Sequence, residues 1–398
     1  MKKIYLVGGA VRDKILGYET SDKDYVAVGY TQDDFSYLKQ VGKDFPVFIT
    51  EDGDELALAR TEKKVSIGYK GFSVDTKDIT LRQDLERRDL TINSIAFDEE
   101  SNSIIDPYDG QKDIEKKILR HTSQAFVEDP IRVLRLARLR ARYGYEWKIY
   151  RDTKVLVYSM KDELKHLQAD RVYKEVSKVL ELDNSHIFFE TLFELGVLED
   201  IFPSINELTT LKEGSRYHLE VNVFEHTMQM IKNISNGSPL QKLTAIYHDI
   251  AKPICYRING DSAGHEQRKL VSPLIDMQLP TKLTKRMLFL IENHIKIYIL
   301  FTMKASKIAT FFESFRKDRQ LLIDLIIIAN ADNQGRIAID TTKNLDEELL
   351  LNIFDDIAQY SPKAWIDIQC KKSKVPEPEV IKQHIHSYNI DIVKKYLK

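Results

Sequence analysis

Cysteine is nearly absent, with only Cys255 and Cys370 in 398 residues. Two thiols build no disulfide framework, and without a CxxC spacing they offer no thiolate metal site, so the chain reads as one from a reducing compartment, the cytoplasm. An apolar run long enough to span a bilayer is also missing, which excludes a membrane-spanning helix and a membrane partner. The opening Lys2-Lys3 followed by Ile4 to Val11 imitates a signal peptide, but Arg12 and Asp13 interrupt it, and it is read as the first strand. Neither sign of charge dominates: the net charge is -2, so a nucleic acid would have to be met by local basic patches. No internal repeat or low-complexity tract stands out. What is present is the composition of a folded protein, 43% hydrophobic and 30% charged, in a chain too long for one ordinary core.

The first 120 or so residues mix strand-like runs with glycine-rich turns: Ile4 to Val7, Tyr25 to Val28, Pro46 to Ile49, Leu56 to Ala59 and Ile92 to Phe97. From about Asp129 the pattern turns helical and stays so. Breaks fall at Phe202-Pro203-Ser204, Ser235 to Pro239, Arg257 to Gly264 and Pro376-Glu377-Pro378. The fold class expected is α+β, a mixed sheet with helices followed by an all-helical remainder.

Asp22 and Asp24 stand one residue apart at the start of a strand-like run. Alternate strand residues share a face, which sets the two carboxylates roughly 6 to 7 Å apart along the backbone. Hard carboxylate oxygens suit magnesium, which keeps room in its shell for substrate phosphates. A solvated turn would carry the same two acids, so the neighbourhood decides. Upstream, Leu6-Val7-Gly8-Gly9-Ala10-Val11-Arg12-Asp13 is a strand ending in two glycines and running into a short helix that reaches Leu16. Glycines allow close backbone approach to phosphate, a helix N-terminus offers free N–H groups, and Arg12 adds a forked donor. The dinucleotide fingerprint and the GxxxxGK[ST] loop are both absent.

Taken together, Gly8-Gly9-x-x-Arg12-Asp13 and Asp22-x-Asp24 resemble the head of the polymerase-β-like nucleotidyltransferases. Asp84 to Asn93 (with Arg87-Arg88-Asp89), Ile105 to Gly110, and Glu128 to Arg135 resemble the successive motifs of class II tRNA nucleotidyltransferases, the CCA-adding enzymes. The resemblance implies a template-free polymerase adding C, C and A to the tRNA 3′ end from CTP and ATP. It further implies that Asp22 and Asp24 bind catalytic Mg2+ and that Gly9, Arg12, Arg88, Arg135 and Arg138 contact the nucleotide. Asp129 and Arg132 match the family's base-reading pair, and Glu62 the usual place of a third acidic residue.

The same residues carry plainer readings. Asp129 before Pro130 is a good helix N-cap with proline in the first turn. At about 100° per residue, Arg132, Arg135, Arg138 and Arg142 share one side of a helix, and Val133, Leu134, Ala137 and Ala141 the other. Four arginines with few acidic partners on that face point to phosphate or nucleobase, with a solvated face as the alternative.

In the second half, His226, His248-Asp249, His265, His294 and Asp332 follow one another along helical segments. Their order resembles the HD-superfamily phosphohydrolases, and CCA-adding enzymes of one bacterial group carry such a domain, with phosphatase and 2′,3′-cyclic phosphodiesterase activity. A divalent metal (Ni2+, Mn2+ or Mg2+) is implied there. The family form has an acid after the histidine matching His294, whereas Ile295 follows here. The resulting domain expectation is a polymerase-β-like head at 1–125, a helical neck at 126–205 for base recognition and tRNA, an HD-like domain at 210–335 and a helical tail at 336–398. Monomer and homodimer are both left open. The rivals are a poly(A) polymerase, an enzyme adding only CC or only A, and a phosphohydrolase whose first half merely binds tRNA.

Overall fold

The computed structural model describes residues 2–20, 23–41, 46–64, 72–76, 78–212, 221–336, 344–372 and 375–397. The chain divides into two compact units, Met1–Pro203 and Ser204–Lys398.

In the first unit, strands β1 (Lys3–Val7), β2 (Asp24–Val28), β3 (Lys39–Val41), β4 (Val47–Ile49), β5 (Glu55–Leu58), β8 (Ala96–Asp98) and β9 (Ser103–Ile105) form one sheet in the order β3-β4-β5-β2-β1-β8-β9. A separate hairpin joins β6 (Thr61–Lys64) to β7 (Phe72–Asp75). The sheet is mixed, because β1 pairs antiparallel with β2 while β2 pairs parallel with β5. Successive side chains of a strand take opposite faces. Val26 therefore packs with Val7, Leu85 and Ala96, and Ala27 with Phe35, Phe48 and Leu56. Helix α1 (Gly9–Leu16) follows β1 and ends at Gly17 in the left-handed conformation (φ 77°), where glycine carries no Cβ penalty.

One expected strand is shorter than its apolar run. Thr91–Asn93 is a 3-10 turn, and β8 begins only at Ala96. Ser94 Oγ donates to the Leu90 carbonyl (3.0 Å), a local bond that competes with a ladder, while Thr91 Oγ1 is tied to the Asp113 side chain (2.7 Å).

Helices α2 (Leu81–Glu86) and α3 (Gly110–Glu115) precede α4 (Ile131–Tyr143). Then come α5 (Arg151–Ser159), α6 (Lys161–Leu164), α7 (Ala169–Leu180), α8 (His186–Glu194) and α9 (Leu198–Ile201). This stretch is not wholly helical, since β11 (Lys148–Ile149) pairs in parallel with β10 (Ile118–Leu119). Val133, Leu134, Leu136 and Ala137 of α4 are fully buried, and α4 packs on α7 and α8. Each such valine or leucine contributes roughly 1.5–3 kcal/mol, which fixes α4 and turns its arginine face outward from that core.

The second unit is helical among the described residues: α10 (Pro203–Glu207), α11 (Val223–Asn233), α12 (Pro239–Tyr247), α13 (Lys252–Asn259), α14 (Arg268–Val271), α15 (Thr281–Asn293), α16 (Ala305–Ser314), α17 (Arg319–Gly335), α18 (Glu347–Gln359), α19 (Lys363–Lys372) and α20 (Pro378–Tyr396). Helix α12 packs on α11, α15 and α17, while α16, α18 and α20 pack together. Among the described residues no helix is long and apolar enough to cross a membrane.

Candidate functional site

Gly8 joins β1 to α1 with φ 72° and ψ -133°, and its N–H bonds to the Ile95 carbonyl at 3.2 Å. A Cβ there would stand 2.9 Å from Arg88 Nη1, so only glycine lets Arg88 lie against the turn. Beside the turn opens a cavity of about 440 Å³. Gly9, Arg12, Asp24, Arg88, Arg132, Arg135 and Arg138, all expected from sequence, line it together. Asp24 is the first residue of β2 and is exposed. Asp22 lies outside the described residues, and so does the side chain of Glu62 on β6. The acid that stands next to Asp24 is Glu55, its register partner on β5 and a lining residue that the sequence did not single out. Two hard carboxylates side by side on one rim, rich in oxygen donors and without thiols, fit a magnesium ion.

The expectation that the α4 arginines have few acidic partners is corrected, because the acids come from other elements. Arg135 Nε lies 3.0 Å from Asp89 Oδ2, Arg138 Nε bonds to Glu175 of α7 at 2.8 Å, and Arg142 Nη2 bonds to Asp13 of α1 at 3.1 Å. Arg142 is not a lining residue. Burial opposes ionisation of Asp89, but Arg135, the Asn93 amide and Arg132 outweigh it and hold its pKa at about 2. Asp84 is likewise kept below the ordinary range, burial being overcome by Arg87 and Arg88. Burial lifts Tyr143, which lies against Arg12, to about 12.

Asp129 does what a cap does: Oδ1 accepts from the Ile131 N–H (3.3 Å) and its carbonyl from the Arg132 N–H (3.0 Å). Its Oδ2 accepts from Arg171 of α7 at 2.9 Å, and it does not line the cavity. Arg132 does, although it is largely buried and donates to the Ala125 carbonyl.

In the second unit all six expected donors converge. His226 comes from α11, His248-Asp249 from the end of α12, His265 from the loop after α13, His294 from the end of α15 and Asp332 from α17. All are buried, and they fall into two groups able to hold a metal ion: His226, His248 and Asp332, and Asp249, His265 and His294. The Nδ1 atoms of His248, His265 and His294 lie 2.8, 2.7 and 2.6 Å from the carbonyls of Ala245, Ser262 and Ile291. A carbonyl only accepts, so each Nδ1 carries a proton and each ring turns its Nε2 into the cluster. His248 Nε2 lies 3.0 Å from Asp249 Oδ2 and His265 Nε2 lies 3.1 Å from Asp249 Oδ1; burial opposes charge on His248, but Asp249 outweighs it and raises its pKa. Ring nitrogens facing a carboxylate at that distance share a proton or a cation with it, a donor set that suits a divalent metal. Burial, with His265 and His248 nearby, pushes His294 down to about 3, keeping it a neutral donor.

Sequence reasoning missed three supports of this cluster. Lys252 Nζ lies 2.8 Å from Asp249 Oδ2, and Asp332 Oδ2 accepts from Arg336 Nη2 (2.8 Å) and Tyr298 (3.2 Å). Ile295 is 37% exposed and takes no part. A second cavity, of about 560 Å³, is lined by Arg268, Lys269, Glu292 and Lys296 among others, next in sequence to His265 and His294.

Comparison with known proteins agrees along most of the chain. Residues 4–120 match the poly A polymerase head domain, and residues 148–209 the probable RNA and SrmB-binding site of polymerase A. The multifunctional CCA protein of Pseudoalteromonas atlantica is 40% identical over 355 residues, covering 85% of this chain and 87% of its own. That of Legionella pneumophila is 36% identical over 415 residues, covering 99% and 98%. Two solved structures share the fold. They are the apo form of a CCA-adding enzyme (TM-score 0.64, 19% identity, 99% of this chain and 86% of that one) and the Thermotoga maritima CCA-adding enzyme complexed with tRNA (TM-score 0.62, 17% identity, 100% and 91%). The head is polymerase-β-like and the whole is α+β. By sequence agreement at this level and coverage, the chain belongs to the family of class II CCA-adding enzymes to which the multifunctional CCA proteins are assigned.

Proposed function

We propose that the first unit builds and repairs the 3′-terminal CCA of tRNA from CTP and ATP, and that the second hydrolyses phosphoesters. The observation that carries the first reading is the convergence of the Gly8-Gly9 turn, Asp24 and five arginines (Arg12, Arg88, Arg132, Arg135 and Arg138) on one cavity. Arg12 and Arg88 beside the turn neutralise a triphosphate, and the backbone at Gly8 approaches it closely. The α4 face meets the base, where a guanidinium donates to ring acceptors and Asp129, exchanging its bond to Arg171, accepts from the exocyclic amine common to C and A. The tRNA 3′ hydroxyl attacks the α-phosphorus and pyrophosphate leaves. Asp22, Asp24 and an acid beside them, Glu55 or Glu62, would hold Mg2+, which when bound supplies charge stabilisation at the attacking and leaving oxygens. One enzyme serving every tRNA reads backbone shape and charge, so binding weakens with salt.

In the second unit, His226, His248, Asp249, His265, His294 and Asp332 would hold a divalent ion, Ni2+, Mn2+ or Mg2+, whose chemistry is activation of water against a phosphoester. Lys252 and Arg336 hold the two carboxylates in place, and Lys269 and Lys296 offer cations to a phosphate near His265 and His294. Phosphatase and 2′,3′-cyclic phosphodiesterase activity are the expected reactions.

The test is incubation of the purified chain and magnesium with tRNA lacking its CCA end, supplied with CTP, ATP, both or neither. Three additions followed by arrest support the reading. A long ladder from ATP alone identifies a poly(A) polymerase, which the match to that head domain keeps as the second reading. Arrest after CC, or addition of A only to tRNA already ending in CC, identifies a divided pathway.

A further inference from the structure

Six side chains of the first unit form a closed chain of polar contacts that begins and ends on α4. Arg142 Nη2 donates to Asp13 Oδ2 (3.1 Å), and Asp13 Oδ1 accepts from Arg12 Nε (2.9 Å) and Nη2 (2.8 Å). Arg12 Nη1 donates to Asn93 Oδ1 (2.5 Å), and Asn93 Nδ2 donates to Asp89 Oδ1 (2.9 Å). Asp89 Oδ2 then faces Arg135 Nε at 3.0 Å, back on the starting helix. Arg135 and Arg142 are seven positions apart, about two helical turns, and so project from one face.

Each link needs the residue it has. Position 93 must accept from a guanidinium and donate to a carboxylate at once, which a carboxamide does and a carboxylate cannot. Asp13 and Asn93 are 6% exposed, so an unmet group at either would be left without water. Arg12, at the glycine turn, and Arg135, on the α4 face, are thereby held at a set separation by bonds that neither could make alone.

We propose that Asn93 and Asp13 are positioning residues for nucleotide choice: the ring fixes Arg12 relative to the α4 arginines, so that a base is tested only in the register set by its triphosphate. The proposal rests on reading the cavity as the CTP and ATP site. Arg142 provides the clean probe, because it is outside the cavity lining and its hydrogen-bonded path to Arg12 runs through Asp13, beside the Tyr143 ring that both guanidiniums face.

The experiment measures kcat/KM for CTP and for UTP on tRNA lacking its CCA end, using the full chain, Arg142→Ala, Asn93→Ala and the double variant, with Tm recorded for each. The expected result is a drop of about tenfold in the CTP-to-UTP ratio for each single variant and about the same tenfold for the double, since a ring is broken once. Arg142→Lys, which retains the cation, recovers most of the ratio. An unchanged ratio in Arg142→Ala alongside a lowered Tm overturns the proposal and leaves a structural role. So does a double variant whose losses multiply to about a hundredfold. A wild-type chain that adds neither nucleotide overturns the cavity reading itself, and the inference with it.

Discussion

Nε of Arg135 lies 3.0 Å from Oδ2 of Asp89, a carboxylate that is only 3% exposed. The arginine is what lets a charge reside there, so Arg135→Ala should destabilise the first unit by about 1–3 kcal/mol through the stranded carboxylate. Adding Asp89→Asn should recover a substantial part of the loss in urea denaturation. Equal stability of the single and double variants would show that the pair is not its source.

The Gly8 turn makes a separable prediction. Gly8→Ala places a methyl 2.9 Å from Arg88 Nη1 on a backbone at φ 72°, moving the guanidinium out of the cavity at a strain of about 1–3 kcal/mol. Nucleotide KM should rise severalfold while the fold persists, and kinetics measured beside circular dichroism separate the two effects.

These relationships mark how far the sequence could be read. The Gly8-Gly9 turn, the helix after it and the strand opening at Asp24 were legible because they depend on neighbours only a few residues away. The apolar side of α4 was legible from its period, and the six histidine and aspartate donors from residue type and order. The roles of Asp13, Asn93, Glu55 and Glu175 were not, since Asp13 and Asn93 each join a near neighbour to a partner far away in the chain, Glu55 and Glu175 meet theirs across elements, and no spacing announces that. The impression that the α4 arginines lacked acids arose from reading one helix alone. The strand read at Ile92 to Phe97 is too long because apolar residues do not reveal that Ser94 bonds back to the Leu90 carbonyl and that Thr91 is held by Asp113.

Metal removal is the third expectation. Dialysis against a chelator should lower the melting temperature of the second unit, and Mn2+ should restore it, because an ion bound only by the folded state stabilises by about 2.7 kcal/mol at a hundred times its Kd. Asp249→Asn, which alters the carboxylate shared by His248 and His265, should abolish the calorimetric response.

The fourth concerns pH. Burial raises Asp276 from 3.8 to about 6, partly offset by bonds from Ser204 and Ile205. A folded pKa above the unfolded one contributes stability that is complete below about pH 4 and is lost as pH rises through about 6. The second unit should therefore lose on the order of 3 kcal/mol across that window. Asp276→Asn should flatten the profile and be the more stable form at pH 7, as pH-dependent denaturation would reveal.

The central claim is that two separate sites in two units carry two reactions. Its most direct test compares Asp24→Ala with His248→Ala, each assayed for CCA addition to tRNA and for metal-dependent hydrolysis of a 2′,3′-cyclic nucleotide. Loss of addition alone in the first variant and of hydrolysis alone in the second is the expected result; equal loss of addition in both would contradict the account.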